Sequence, residues 1–338
     1  ADWREYHDGL GVYLLAAGKY GDVDPAARAV ALAAATTALA LADLPGADPA
    51  VRDGAVAALL HRNPALEAFR RGRLAEWSGP RYELDERFVA LTLLVDAGEE
   101  TASGRWQAQQ RRYTDLAALM NEVPDVALVV LGPPGSGKST LLRHYELAQA
   151  AAALSGEASN ESEAAADRLT FFLSLNRYAA ASPADPPPAP ADWLAAEWRA
   201  CQPDLPPLPE LLAVGRMTLL LDALNEMPHR STAEYRERIK AWKAFIQAVA
   251  AQASGTRIVF SCRSLNYSAP LSTSDLRVPQ VQVEPLDDAG VRDFLVRYAA
   301  QQAEALWAAL DGTPQLDLVR APYFLTLLAA RPAAATRS

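Results

Sequence analysis

The residues best suited to chemistry are Gly132-Pro133-Pro134-Gly135-Ser136-Gly137-Lys138-Ser139-Thr140, which fit the spacing G-x-x-x-x-G-K-[ST]. Glycines at those positions let the backbone curl until its N–H groups point inward as an anion nest. Lys138 adds a flexible positive charge where the β- and γ-phosphates of a nucleoside triphosphate would lie, and Ser139 offers a hydroxyl to Mg²⁺. Gly132, Pro133, Gly135, Ser136, Gly137, Lys138, Ser139 and Thr140 are therefore the candidate phosphate-binding residues. An apolar run, Val126 to Leu131, precedes the loop, and a helical stretch, Leu141 to Leu147, follows it. The loop then lies between a strand and a helix, with the positive end of the helix aimed at the phosphates.

A second group of residues suits metal and water. The strand-like run Met217 to Leu221 ends in Asp222, expected to hold Mg²⁺ through its water shell. Four residues on, Glu226 is the candidate to polarise an attacking water, with Asn225 as an orienting neighbour. The run Arg257 to Cys262 leads into Arg263. In a parallel sheet the C-terminal strand ends line the ligand crevice. Arg263 is thus expected near the γ-phosphate, where a guanidinium would sense it. The alternative is that Arg263 pairs with Asp222 or Glu226 for packing. Ser261 and Cys262 are expected only to flank it.

These groups need a scaffold. From Ala127 short apolar runs alternate with helical stretches: Ala127–Leu131, Leu169–Leu175, Met217–Leu221, Arg257–Cys262 and Val278–Val283. Continuous apolar strands between helices indicate a parallel sheet covered on both faces. The expected fold is α/β, a P-loop parallel sheet preceded by an all-α domain and followed by a small helical domain. The boundaries read as 1–98 for the all-α domain, 99–126 for a linker and leading helix (Trp106 to Met120), 127–284 for the nucleotide-binding domain and 285–338 for the last helices. Asp24-Pro25 and Asp48-Pro49 each place a capping residue before a proline suited to a first helical turn. The echo between these two sites faintly resembles a HEAT-type repeat, but two copies also suit capped helices in a bundle. The proline-rich stretch Ser182 to Pro190 reads as a stiff connector.

The bulk composition narrows the function classes. Of 338 residues half are hydrophobic and 22% charged, enough for a real core. A net charge of -9 and a pI near 5.1 argue against a general nucleic-acid or anionic-membrane binder. Cys201 and Cys262 match no metal spacing and read as reduced thiols of a cytoplasmic protein. The longest uncharged run, Ala29 to Ala42, falls short of the roughly 20 residues a bilayer requires. No signal peptide is evident, and the chain does not begin with Met, so it reads as a piece of something longer.

Taken together, the motifs resemble the NACHT family within the STAND class of signalling ATPases, over Trp106 to about Ala330. The resemblance rests on Leu131 to Leu142, on Leu219-Leu220-Leu221-Asp222-Ala223-Leu224-Asn225-Glu226-Met227, on Ser261-Cys262-Arg263, and on Arg320-Ala321-Pro322-Tyr323-Phe324-Leu325. It implies ATP or ADP with Mg²⁺ as cofactors, Arg263 as the sensor arginine, and Pro322 packed against adenine. Asn225 stands where the family's pattern has an acid, which bears on hydrolysis rate. The position after Asp222, where an AAA+ protein would carry Glu, is Ala223; neither a GTPase's Asn-Lys-x-Asp nor an ABC signature is present. The resemblance further implies a nucleotide-governed switch that forms homo-oligomers on activation, with sensor or effector domains beyond Ser338, and in bacteria often defence against phage. The competing readings are a scaffold that binds nucleotide without hydrolysing it, and a steady-turnover ATPase.

Overall fold

A run such as Ala127-Leu128-Val129-Val130-Leu131 has no polar face to turn to water, so it demands cover on both sides. The structure, a computed structural model, describes residues 53, 64–96, 108–155, 168–179, 186–252 and 255–330. In it this run is strand β3 (Ala127–Gly132), buried along its whole length. Parallel to it lie β4 (Leu169–Ser174), β5 (Met217–Asp222), β6 (Arg257–Arg263) and β7 (Gln280–Val283). With β1 (Leu93–Asp96) and β2 (Ala108–Tyr113) they form one seven-stranded sheet, in the order β2-β1-β7-β3-β6-β5-β4. Strand β6 therefore separates the strand carrying the glycine loop from the strand ending in Asp222.

Alternate residues of each parallel strand feed two different cores. Val129, Leu219, Leu221, Ile258 and Phe260 join Trp193, Trp198 and Trp242 on one face. Those tryptophans come from α5 (Pro190–Cys201) and α7 (Thr232–Ala251); α6 (Leu208–Ala213) completes that layer. Leu128, Val130, Leu220 and Val259 face the other way, toward α3 (Leu116–Glu122) and α4 (Lys138–Ser155). The last helices, α8 (Asp288–Ala299), α9 (Ala303–Leu310), α10 (Pro314–Val319) and α11 (Pro322–Ala329), join this second core through Phe294, Trp307, Leu316 and Leu325. This is an α/β P-loop architecture with a mixed sheet.

Two of the seven strands depart from the sequence reading. Strand β1 falls within the stretch read as helical, and β2 within the leading helix read from Trp106 to Met120, of whose described residues only those from Leu116 onward are helical. Strand β1 pairs antiparallel with β7 and β2 antiparallel with β1. Leu91, Leu93 and Val95 are buried while Thr92 and Leu94 between them are only half-buried, a period of two that a five-residue window barely displays. The residues Ala-Gln-Gln-Arg-Arg-Tyr of β2 favour helix intrinsically, and pairing at the sheet edge overrides that preference. The expected repeats at Asp24 and Asp48, the apolar run Ala29 to Ala42 and the linker Gly98–Gly104 lie outside the described residues.

Helix α1 (Pro64–Trp77) packs on the glycine-loop helix α4, and the two share a buried carboxylate. Glu146 of α4 is almost wholly enclosed. It accepts from Trp77 Nε1 at 2.8 Å and from the Phe172 backbone N–H at 3.1 Å, with Arg73 Nη1 at 4.0 Å. Burial pushes its carboxyl above the usual range. Arg143, one turn earlier, lies over the rings of Trp77, Tyr82 and Phe172. The back of α4 is thus fixed against α1 while its front end carries the loop. Among the described residues no helix is long and apolar enough to cross a membrane.

Candidate nucleotide site

Strand β3 ends at Gly132, and the chain curls over the C-terminal end of this central strand before α4 begins at Lys138. The curl needs left-handed backbone at two places, Gly135 (φ 75°) and Gly137 (φ 89°). At Gly135 space also forbids a side chain, because a Cβ there would lie 2.5 Å from Cβ of Tyr323. Tyr323 belongs to α11, and its backbone N–H donates to Gly135 O at 3.1 Å. Gly135→Ala should lower thermal stability, by on the order of 1–2 kcal/mol from the backbone conformation alone, with the contact to α11 adding to it. Thermal unfolding that leaves Gly135→Ala level with the unmutated chain would mean the loop relaxes at no cost.

Lys138 Nζ points back into the loop, donating to Gly132 O at 2.9 Å, Pro133 O at 2.8 Å and Ser136 Oγ at 3.2 Å. Partial burial lowers its pKa, opposed chiefly by the nearby charge of Asp222. Ser139, the next residue, donates its hydroxyl proton to Asp222 Oδ1 at 2.9 Å. Asp222 sits at the C-terminal end of β5 and is buried. One hydroxyl and one carboxylate are hard oxygen donors that suit Mg²⁺, yet too few to hold it unaided. Among the described residues no group of three or more His, Cys, Asp or Glu side chains could hold a metal alone. This donor set fits an ion that takes its other ligands from phosphates and water.

Beyond Asp222 the chain turns through Ala223, a non-glycine residue at φ 63°, into a short 3-10 turn, Leu224–Glu226. That turn brings Asn225 and Glu226 to the end of β6. Arg263 Nη2 donates to Glu226 Oε1 at 2.6 Å, and Arg263 N donates to Asn225 Oδ1 at 3.0 Å. This ion pair with Glu226 is one of the pairings the sequence left open to Arg263. Both side chains are partly open to solvent. Cys262 is a packing residue: burial pushes its thiol up to about 11, so it stays protonated at neutral pH.

A cavity of about 300 Å³ opens beside the loop. Gly135, Gly137, Lys138, Ser139 and Thr140 form one wall. Pro322, Tyr323 and Thr326 of α11 and Phe294 and Tyr298 of α8 form another. The structure therefore brings Pro322 next to the glycine loop, across a gap in sequence of well over a hundred residues. The third wall, Arg87 to Val89 with Leu91, was not read from the sequence as part of any site. It runs from the end of α2 (Leu84–Arg87) to just before β1, and the antiparallel pairing of β1 with β7 carries it there.

A family model, described as the NACHT domain, matches residues 126–302, just over half of the chain. The chain belongs to the NACHT family. It is accordingly a nucleotide-binding P-loop NTPase. No curated protein matches the chain. The NACHT match begins one residue before β3 and ends just past α8, so it includes the glycine loop, Asp222, Glu226 and Arg263, and leaves Pro322 outside. One polar residue inside the NACHT core also carries more than sequence reasoning assigned it. Ser261, read as a flank, is buried and bonded to Asp222 Oδ1 at 2.5 Å. The available signal was a lone hydroxyl in an otherwise apolar strand.

Proposed function

We propose that this NACHT protein is an ATP-dependent molecular switch with slow Mg²⁺-dependent hydrolysis. The observation that carries the proposal is the Arg263–Glu226 pair. A carboxylate able to polarise water and a guanidinium able to meet a γ-phosphate are paired with each other. An arriving γ-phosphate competes for Arg263, and success releases Glu226 toward water. The site thus supports two arrangements that differ by the presence of one phosphate, which is what a switch between ATP and ADP requires.

The other groups fit this reading. Lys138 would exchange the carbonyls of Gly132 and Pro133 for phosphate oxygens. Ser139 and Asp222 would hold Mg²⁺, which supplies neutralisation of the phosphate charge when bound. Pro322, with the walls at Phe88 and Tyr298, would enclose the base. No guanine-reading Asn-Lys-x-Asp exists in the chain, so ATP and ADP should bind well ahead of GTP. Competition for a fluorescent ADP analogue tests this directly; displacement by GTP at the same concentration as ATP would end the base assignment.

One observation favours the second reading, a scaffold that binds nucleotide and barely hydrolyses it. The amide of Asn225 is engaged with the backbone of Arg263, at the position where the family's pattern has an acid. Phosphate release by purified protein separates the readings. Release that depends on Mg²⁺, together with a nucleotide-dependent change in mass or shape on sizing, is the expected result. A single mass and shape with ATP, ADP or no nucleotide would sink the switch, and homo-oligomer formation with it.

A further inference from the structure

Strand β6 is apolar through its centre except at one residue. Ile258, Val259, Phe260 and Cys262 are buried, and Ser261 among them is 1% exposed. A hydroxyl in a dry core costs free energy unless its donor and acceptor capacities are both used. Here both are. Ser261 Oγ donates to Asp222 Oδ1 at 2.5 Å and accepts from the backbone N–H of Ala223 at 2.8 Å. The register explains the meeting: Leu221 pairs with Phe260, so the next residues, Asp222 and Ser261, fall opposite each other.

The two residues Ser261 touches both have conformations that need support. Asp222 is a buried carboxylate at the end of its strand, with a side chain free to rotate unless held. Ala223 is forced to φ 63°, a region costly for any residue with a Cβ. A second hydroxyl, from Ser139, reaches the same Asp222 oxygen at 2.9 Å. Ser139 cannot be the fixed support, because its own oxygen is a prospective metal ligand and must adjust when the ion arrives. Ser261 lies in a central strand of the sheet, and no such adjustment is asked of it.

We infer that Ser261 is a positioning residue for metal-nucleotide binding. Its hydroxyl orients the Asp222 carboxylate and pins the turn at Ala223, so that Asp222 and Ser139 present one arrangement of oxygens to Mg²⁺. It touches neither nucleotide nor metal, and it acts through Asp222. The inference rests on the reading of Ser139 and Asp222 as the metal side of the site.

The test is binding of a fluorescent ADP analogue to the full chain across a Mg²⁺ series and in EDTA. The variants are Ser261→Ala and Ser261→Thr. Ser261→Ala should raise the half-saturating Mg²⁺ concentration at least about tenfold, the scale of one lost hydrogen bond to a charged group. Its metal-free affinity should stay within about twofold, since no phosphate contact is touched. Ser261→Thr, which keeps the hydroxyl and suits a strand, should recover the unmutated Mg²⁺ dependence. A Ser261→Ala protein that melts earlier but needs no more Mg²⁺ would show that the hydroxyl only packs the core, and would overturn the inference. So would a Ser261→Thr protein indistinguishable from Ser261→Ala. Should Ser261→Ala fail to fold, Ser261→Cys keeps the volume with a much weaker donor and carries the same test. If the unmutated chain binds the analogue equally well with and without Mg²⁺, the metal reading of Ser139 and Asp222 fails, and this inference falls with it.

Discussion

Lys138→Ala should bind ATP at least about tenfold more weakly than the unmutated chain, a loss of roughly 1.4 kcal/mol. The loop geometry shows which part of the interaction is lost. Nζ already has three acceptors in the loop, so phosphate binding exchanges partners rather than creating them. What the phosphates add is charge, and Lys138 meets it with a flexible cation from the first turn of α4. The same argument gives a pH dependence. Partial burial lowers the Lys138 pKa in the free protein below its ordinary 10.5, with Asp222 as the main opposing influence. Bound phosphates raise it again, since they favour the charged form. Only the cationic side chain binds well, so affinity is fully present below the free-protein pKa. It falls as pH rises through the window between the free and bound values. Calorimetry on the unmutated chain at rising alkaline pH should show that fall, and Lys138→Ala should lack it. Equal affinity for the two proteins at neutral pH would remove Lys138 from the site.

How much of this arrangement was legible beforehand follows from burial. Strands β3, β4, β5 and β6 are read easily because parallel strands covered on both faces leave continuous apolar runs, as in Met217-Thr218-Leu219-Leu220-Leu221; β7 alternates instead, with Val281 and Val283 buried and Gln280 and Gln282 half-buried. The glycine loop is legible because its backbone path restricts residue type at Gly135 and Gly137. Strands β1 and β2 were opaque for the opposite reason. Their pairing is antiparallel and marginal to the sheet, and the polar residues of β2 suit helix as well as strand. The wall from Arg87 to Leu91 was opaque because nothing local marks it. Its place beside Gly137 depends on β1 pairing with β7, a contact between residues nearly two hundred apart in sequence. Ser261 lies between these extremes. Its burial was readable from the apolar run around it, but its partner Asp222 could be named only once β6 was known to lie beside β5.

Glu226→Gln should spare ATP binding and cut hydrolysis by roughly a hundredfold or more, the range typical of lost acid-base help. The two halves of that expectation have different causes. Side-chain exposures of 45% for Arg263 and 39% for Glu226 mark their ion pair as largely solvated. Such pairs contribute about 0–1 kcal/mol, so breaking this one should change affinity by no more than about fivefold. The direction should be toward tighter ATP binding, because an Arg263 without its carboxylate partner meets the γ-phosphate at less cost. Hydrolysis is another matter. Phosphoryl transfer to water needs an oriented nucleophile, and Glu226 is the one carboxylate in the Leu224–Glu226 turn. Glutamine keeps the shape and polarity but cannot take a proton from water. Single-turnover hydrolysis and calorimetry on the same protein separate the two effects. A hydrolysis rate equal to that of the unmutated chain would show that the water is oriented elsewhere, by Asn225 or by a residue from a second copy. A large loss of ATP affinity would mean instead that the Arg263–Glu226 pair holds the site together, and that the exchange of Arg263 from carboxylate to phosphate is not the event that changes its state.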